Sequence, residues 1–339
     1  MVTSVPRAAR VAARPRLGFL GVGWIGLNRL QGIAAAGGAD IVAVADLAPD
    51  LVAAARRAVP QARAAAGLEE LLALDLDGVV IATPSALHAE QAALALERGL
   101  AVFCQKPLGR DAAETRRVVA AARAADRLLA VDFSYRHVRG VQRMHELMGE
   151  GAIGTVYAAD LVFHNAYGPD KPWFYDPRQA GGGCVLDLGI HLVDLVLWLT
   201  RARGVVRTTS RLYAKGAPLP DPRTAVEDYA AATLELDGGA VATLACSWHL
   251  PAGVPAVIQA TLYGTEGALA LRNVNGSFYD FCTTRMRGTT TEVLDEEGEG
   301  WGQRAAVAFA AALARSAAYD PAIEEVVAVA EAVDAIYGR

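Results

Sequence analysis

Residues 16–26 read Arg16-Leu17-Gly18-Phe19-Leu20-Gly21-Val22-Gly23-Trp24-Ile25-Gly26. A short apolar run leads directly into a complete G-x-G-x-x-G, and residues 25–36 then follow a helical pattern. Strand, glycine turn and helix in that order are the context in which such a turn carries meaning. Gly21 suits a tight turn, Gly23 a close approach of backbone to a pyrophosphate, and Gly26 close helix–strand packing. The helix start offers its unpaired N–H groups to an anion. Asp46 closes the next apolar run, twenty residues beyond Gly26, where a carboxylate accepts from ribose hydroxyls and repels a 2′-phosphate. Leu47 follows it where a phosphate-binding arginine would otherwise be sought, so NAD is expected rather than NADP.

The same rhythm extends outward from this stretch. Apolar runs at 17–20, 41–45, 78–82, 101–104 and 128–131 alternate with helical patterns at 25–36, 87–98 and 112–125. That alternation predicts a parallel sheet covered on both faces. Beyond residue 137 it changes. Helical patterns at 141–148 and 185–199 are joined by strand-like runs at 155–164, 205–213, 229–236, 240–248, 256–263 and 268–271. Short turns such as Asp237-Gly238-Gly239 favour hairpins and an antiparallel sheet. Helical stretches at 305–314 and 321–337 close the chain. The expected organisation is a loose leader at 1–15, a dinucleotide-binding domain at 16–137 and an α/β domain at 138–339. The last helix is able to pack back on the first domain.

Composition narrows the function classes. Of 339 residues, 53% are hydrophobic and 20% charged, which excludes wholesale disorder. A net charge of -5 argues against a broad grip on nucleic acid or an anionic membrane. No apolar run reads as a membrane span, and the arginine-bearing leader lacks a hydrophobic signal core. Cys104, Cys184, Cys246 and Cys282 show no C-x-x-C spacing, so neither a metal site nor a disulfide framework is expected, and a reducing cytoplasm fits.

Two segments carry candidate chemistry. Cys104-Gln105-Lys106-Pro107 follows an apolar run, where a parallel strand delivers residues to a cofactor crevice. Lys106 is one of three lysines, with Lys171 and Lys215, in a chain that otherwise uses arginine. Its ammonium can steady a developing alkoxide, or it is a solvated loop residue. The second segment, Gly181-Gly182-Gly183-Cys184-Val185-Leu186-Asp187, continues to His191 and Asp194. It reads as a buried helix with Asp187, His191 and Asp194 on one face. Ionisable groups there need partners or a function. His191 is suited to take a hydroxyl proton while Asp187 holds its ring, or the two form a satisfied core pair. Tyr135 and Arg136 fall at the domain junction as candidate substrate contacts or hinge residues. Trp173 lies in an aromatic loop suited to the apolar face of a sugar or to packing.

These segments, with Ala82-Thr83-Pro84, His88, Glu227-Asp228-Tyr229 and Gly264-Thr265-Glu266-Gly267, resemble the glucose–fructose oxidoreductase / inositol dehydrogenase family, Gfo/Idh/MocA. The resemblance runs from residue 16 to 339. It implies a Rossmann domain followed by an α/β domain with a large, mostly antiparallel sheet whose face builds a dimer or tetramer. It implies hydride transfer between NAD and a carbinol carbon of a sugar, amino sugar or cyclitol. Related readings are a redox-neutral glycoside-cleaving enzyme and a non-catalytic NAD or sugar sensor. Lys106, Asp187 and His191 match the family's catalytic positions. Thr83, Pro84 and His88 match its cofactor crevice, and Trp24 and Ile25 would present backbone to the pyrophosphate. The family's usual Glu-Lys-Pro is Gln105-Lys106-Pro107 here, which removes a negative charge beside Lys106.

Overall fold

The computed structural model describes residues 14–339, so the expected leader at 1–15 falls almost wholly outside the described residues. The described chain divides into two units. The first comprises residues up to Gly109, Ala113–Asp132 and Gln303–Glu324; the second comprises Arg110–Ala112, Phe133–Gly302 and Glu325–Arg339. The division therefore falls after Asp132 rather than at 137, and the chain returns to the first unit near its end. The helix that returns is the penultimate one, Arg304–Arg315, while the last helix, Glu325–Tyr337, stays with the second unit.

In the first unit, β1 (Arg16–Leu20), β2 (Asp40–Ala45), β3 (Arg63–Ala64), β4 (Gly78–Ile81), β5 (Ala101–Cys104) and β6 (Leu129–Val131) form one sheet. Its order is β3-β2-β1-β4-β5-β6, and every pairing is parallel. Each residue of β4 and β5 is buried, which is why these strands read as unbroken apolar runs. The order reverses beside β1, and the C-terminal ends there form the crevice in which such sheets bind ligands. Helix Trp24–Ala36 ends on Gly37, whose φ of 67° lets its N–H reach back to the carbonyls of Ile33 and Ala34. The returning helix sets Phe309 against Phe103, ring centroids 5.5 Å apart, within the core that holds Leu17, Phe19, Leu30 and Val44. Helix Pro49–Ala58 was not expected: it is short and mostly alanine and arginine, its apolar stripe is the few residues Leu51, Val52 and Ala55 that pack on the core, and proline in the first turn starts it.

In the second unit, β7 (Val156–Asn165), β8 (Val205–Ala214), β9 (Ala217–Pro218), β10 (Tyr229–Leu236), β11 (Val241–Ser247), β12 (Ala256–Gly264), β13 (Gly267–Asn273), β14 (Phe281–Arg287) and β15 (Thr290–Glu297) form a second sheet. The order is β15-β14-β13-β12-β7-β11-β10-β8-β9. β7 and β11 pair in parallel and the other pairings are antiparallel, as expected. β10 alternates buried and less buried residues, so one face packs while the other is more open. Gly239, at φ 86°, closes the β10–β11 hairpin. The β14–β15 hairpin escaped the sequence reading because β15, Thr-Thr-Glu-Val-Leu-Asp-Glu-Glu, is a polar edge strand without clean alternation.

The packed face of this sheet carries the helix Ile190–Thr200, nine of whose residues are buried. A π-helical turn, Val185–Gly189, feeds into it. One expectation is corrected here. Pro177–Thr200 spans 24 residues and is long and apolar enough to cross a membrane by length and composition. Because 89% of its most apolar window is buried within the protein, it reads as a core helix.

Candidate functional site

The glycine turn after β1 divides its roles as the spacing suggested. Gly21 has φ 84°, and a Cβ there would sit 2.5 Å from the Ala82 carbonyl oxygen. A Cβ on Gly26 would meet the Gly21 carbonyl at 2.1 Å, so any side chain would push the helix off the strand. A Cβ on Gly23 would meet nothing within 4 Å, leaving an open approach to the backbone. The helix that begins here has no acidic residue in its first turn and no side-chain cap, so its positive end is uncompensated. Trp24, 69% exposed, and the partly buried Ile25 begin that turn.

Asp46 already has a local task. Its carboxylate accepts from the Val22 N–H at 2.8 Å and the Ala48 N–H at 3.0 Å, tying the end of β2 to the glycine turn. Each oxygen keeps a further lone pair for a hydroxyl donor. Leu47 beside it is 97% exposed.

His88, which the resemblance placed in the crevice lining, is only 1% exposed and works as a brace. Its Nδ1 lies 2.7 Å from the Pro107 carbonyl and its Nε2 lies 2.6 Å from the Thr83 carbonyl. The neutral ring has one N–H and donates to one of these carbonyls, and it packs between the loop after β4 and the loop after β5 that carries Lys106. Burial pulls its pKa below the ordinary 6.5, while the two carbonyls pull the other way and the Lys106 charge adds to the lowering. Thr83 donates to Gln91 Oε1 at 2.6 Å, and Pro84 caps helix Ser85–Glu97. Gln105 Oε1 is buried with no hydrogen-bond partner among the described residues. A bound group that donates there would relieve a cost of about 1–3 kcal/mol. The open space at Gly23, the bare helix end and this orphaned acceptor all fit a dinucleotide.

Sequence reading missed the ion pair beneath this end of the sheet. Arg29 Nε donates to Asp132 Oδ2 at 2.6 Å, with both side chains buried. Burial pushes the Asp132 carboxyl up, and the charges of Arg29 and Lys106 oppose that shift. A carboxylate near Lys106 is therefore supplied from β6's end although position 105 lacks one.

In the second unit the glycine run is shaped by Glu227. This carboxylate is fully buried and accepts from Val185 N–H at 2.8 Å, Gly183 N–H at 3.0 Å and the Tyr337 hydroxyl at 2.8 Å. A Cβ on Gly182 would lie 2.0 Å from the Tyr337 hydroxyl, and one on Gly183 would lie 2.0 Å from the Glu227 carbonyl. Only glycine lets the chain pass so close. Cys184 follows, its Sγ 3.8 Å from that of Cys246.

This anchoring opens the π turn that presents Asp187. Trp248 Nε1, from just past β11, donates to Asp187 Oδ2 at 3.1 Å. The indole is itself packed by Phe174 and Tyr175, and Trp173 stacks on Phe174 at 3.8 Å. Trp173 therefore supports the wall behind Asp187. His191 is 8% exposed, with its ring 4.9 Å from that of Tyr135. Tyr135 in turn contacts Phe163, Phe281 and Trp301. It is a buried packing partner of His191, and burial pushes its hydroxyl far up. Arg136 is engaged elsewhere: it grips Asp194 with bonds of 2.6–3.0 Å and pairs with Glu325 at 2.9 Å. Burial pushes the Asp194 carboxyl up and Arg136 pulls it back.

A model of the oxidoreductase family with an NAD-binding Rossmann fold matches residues 15–133, and one of the GFO/IDH/MocA C-terminal domain matches residues 141–270. The chain belongs to the Gfo/Idh/MocA family. Among its curated relatives is inositol 2-dehydrogenase 3 of Saccharopolyspora erythraea, 33% identical over 54% of this chain and 53% of that protein, so the match spans about half of that relative. The 1,5-anhydro-D-fructose reductase of Ensifer adhaerens is 28% identical over 84% of this chain and 81% of its own. Among solved structures, GenD2 from gentamicin A biosynthesis in complex with NAD has a TM-score of 0.79 at 26% identity, covering 99% of this chain and 96% of that one. The family's first domain binds NAD, in agreement with the turn at Gly21–Gly26.

Proposed function

We propose that the chain is an NAD-dependent oxidoreductase that moves a hydride between nicotinamide and a carbinol carbon of a sugar, amino sugar or cyclitol. The observation that carries this reading is the setting of Asp187 and His191. The π turn presents Asp187 and the helix it feeds presents His191, Trp248 aims the carboxylate, and Tyr135 packs the imidazole. Held this way, His191 takes the proton of the substrate hydroxyl as the hydride leaves, and Asp187 stabilises the resulting imidazolium. Lys106 is assigned to the oxygen, where its ammonium offsets developing negative charge. NAD, when bound, supplies the hydride acceptor. The chain's part is to hold the dinucleotide at the glycine turn and to keep the carbinol oriented.

Asp46, followed by the exposed Leu47, supports NAD over NADP, because the carboxylate would face the 2′-phosphate of NADP without a cation beside it. A homo-oligomer is also part of the reading. It rests on membership of the Gfo/Idh/MocA family, whose large second sheet is expected to build the oligomer. The test of the activity is turnover of NAD with a polyol panel, with His191→Asn as the comparison. Loss of turnover with nucleotide binding intact supports the assignment. A variant as active as the parent removes His191 from the role.

A further inference from the structure

Past the ends of β10 and β11 the second unit has a half-open cleft of about 1030 Å³, lined by Tyr175, Tyr213, Tyr229, Trp248, Asp228 and Lys215 among others. Its walls are ordered by their own contacts. Tyr213 and Tyr229 are cross-strand partners whose rings meet edge to face at 6.0 Å. Tyr175 and Trp248 meet at 5.7 Å, and the Tyr175 hydroxyl lies 3.3 Å from His249 Nε2. Trp248 belongs to two sites at once, since its ring walls the cavity while its Nε1 holds Asp187. Burial and then the Asp187 charge raise the pKa of the Tyr175 hydroxyl, which places that wall within electrostatic reach of Asp187.

The size and chemistry of this space select an occupant. Pockets that bury drug-sized ligands run from about 300 to 1,000 Å³, so this one has room well beyond a single pyranose. Aromatic faces on several sides suit the apolar C–H faces of a sugar. Tyrosine hydroxyls, His249, Asp228 and Lys215 supply partners for hydroxyl groups. Asp228 Oδ2 is tied to the Lys215 backbone N–H at 2.8 Å, which fixes a negative charge in the lining. A pyrophosphate would meet that charge with a single ammonium to balance it, so a nucleotide fits less well than a neutral or amine-bearing ring.

We propose that this cavity seats a second, non-reacting ring, so that the substrate is a glycoside of at least two rings rather than a free monosaccharide. The proposal rests on the dehydrogenase reading above. It extends that reading from the carbinol at Asp187 to the remainder of the molecule, with Trp248 shared by the wall of the cleft and the hold on Asp187.

The test uses the full chain saturated with NADH or NAD. The one-ring probes are glucose and myo-inositol, and the two-ring probes are maltose, cellobiose and trehalose. Binding is followed by tryptophan fluorescence and calorimetry, and turnover by nicotinamide absorbance. At least one two-ring probe should bind about tenfold more tightly than either one-ring probe, as one or two stacking contacts provide. In Tyr213→Ala and Tyr229→Ala that ratio should fall towards one, while Tyr229→Phe, which keeps the ring and controls for folding, should retain it. A ratio near one in the parent, or one that survives both alanine variants, overturns the proposal. UDP-glucose binding more tightly than every two-ring sugar, with the same dependence on Tyr229, overturns it in favour of a nucleotide. The two readings fail separately. Two-ring binding without turnover leaves the cavity assignment standing and removes the dehydrogenase; turnover of one-ring sugars with no two-ring advantage does the reverse.

Discussion

Glu227→Ala should unfold the second unit's active segment at a cost that the structure allows to be worked out. The carboxylate takes hydrogen bonds from Gly183 N–H, Val185 N–H and the Tyr337 hydroxyl, and it is 0% exposed. Removing it leaves three buried donors, each costing about 1–3 kcal/mol when unsatisfied. One water entering the vacated space would recover part of that, so a net loss of about 3–6 kcal/mol is expected. Tyr337→Phe deletes one of the three bonds without leaving a stranded donor, and should cost only about 1 kcal/mol. Glu227→Gln should fall between them, because one of its two terminal atoms is now a donor facing donors. Burial holds the Glu227 carboxyl above its ordinary range, so its stability contribution weakens as pH rises towards that raised value. The assay is urea unfolding at pH 6.5, with far-ultraviolet circular dichroism and tryptophan fluorescence read together, since a chain of two units need not unfold in one step. The order Ala, Gln, Phe from most to least damaging is expected. An alanine variant within about 1 kcal/mol of the parent would show that Glu227 does not anchor the glycine run.

Three further outcomes follow from other contacts. Breaking the buried Arg29–Asp132 pair with Asp132→Ala should destabilise the first unit by about 3–5 kcal/mol, whereas the double change Arg29→Met/Asp132→Leu should recover most of it; equal losses in both would refute the stranded-charge explanation. His88, whose pKa is lowered from 6.5 by burial, binds fewer protons folded than unfolded, so its contribution is fully present above pH 6.5 and is lost as pH falls below it. Thermal melts from pH 7.5 to 5 should therefore show a shallower pH slope for His88→Gln than for the parent, and equal slopes would contradict the buried brace. Asp46→Ala combined with Leu47→Arg should raise the NADP/NAD ratio of kcat/KM by about a hundredfold, roughly 2.7 kcal/mol, and an unchanged ratio would remove Asp46 from the ribose.

Much of the fold was legible because its signals are local. The apolar runs of β1, β4 and β5 are buried throughout, and the glycines of the first turn are fixed by contacts within a few residues or with the adjacent strand. Helix Pro49–Ala58 was missed because it is short and offers only small and few large apolar residues to the core, and the hairpin Phe281–Glu297 because an edge segment carries little periodic pattern. The return of helix Arg304–Arg315 to the first sheet is a tertiary event that no local pattern marks. At the candidate site, Asp187 and His191 stood out as costly groups on an apolar helix. Trp248, Glu227 and Asp132 did not, since each acquires its role from a partner at least 42 residues away. Arg136 and Tyr135 read as substrate contacts or hinge residues from their place at the junction, and in the structure they contact Asp194 and His191.

The central claim is hydride transfer between nicotinamide and a polyol carbinol. It is tested most directly by mixing the chain with NAD or NADP and a panel of inositols, aldoses, amino sugars and two-ring glycosides, then following nicotinamide absorbance. Reduction of the nicotinamide is expected with at least one polyol, faster with NAD than with NADP, and abolished by His191→Asn while NADH still binds. Absence of turnover across the panel in both directions, with NAD binding intact, would contradict it.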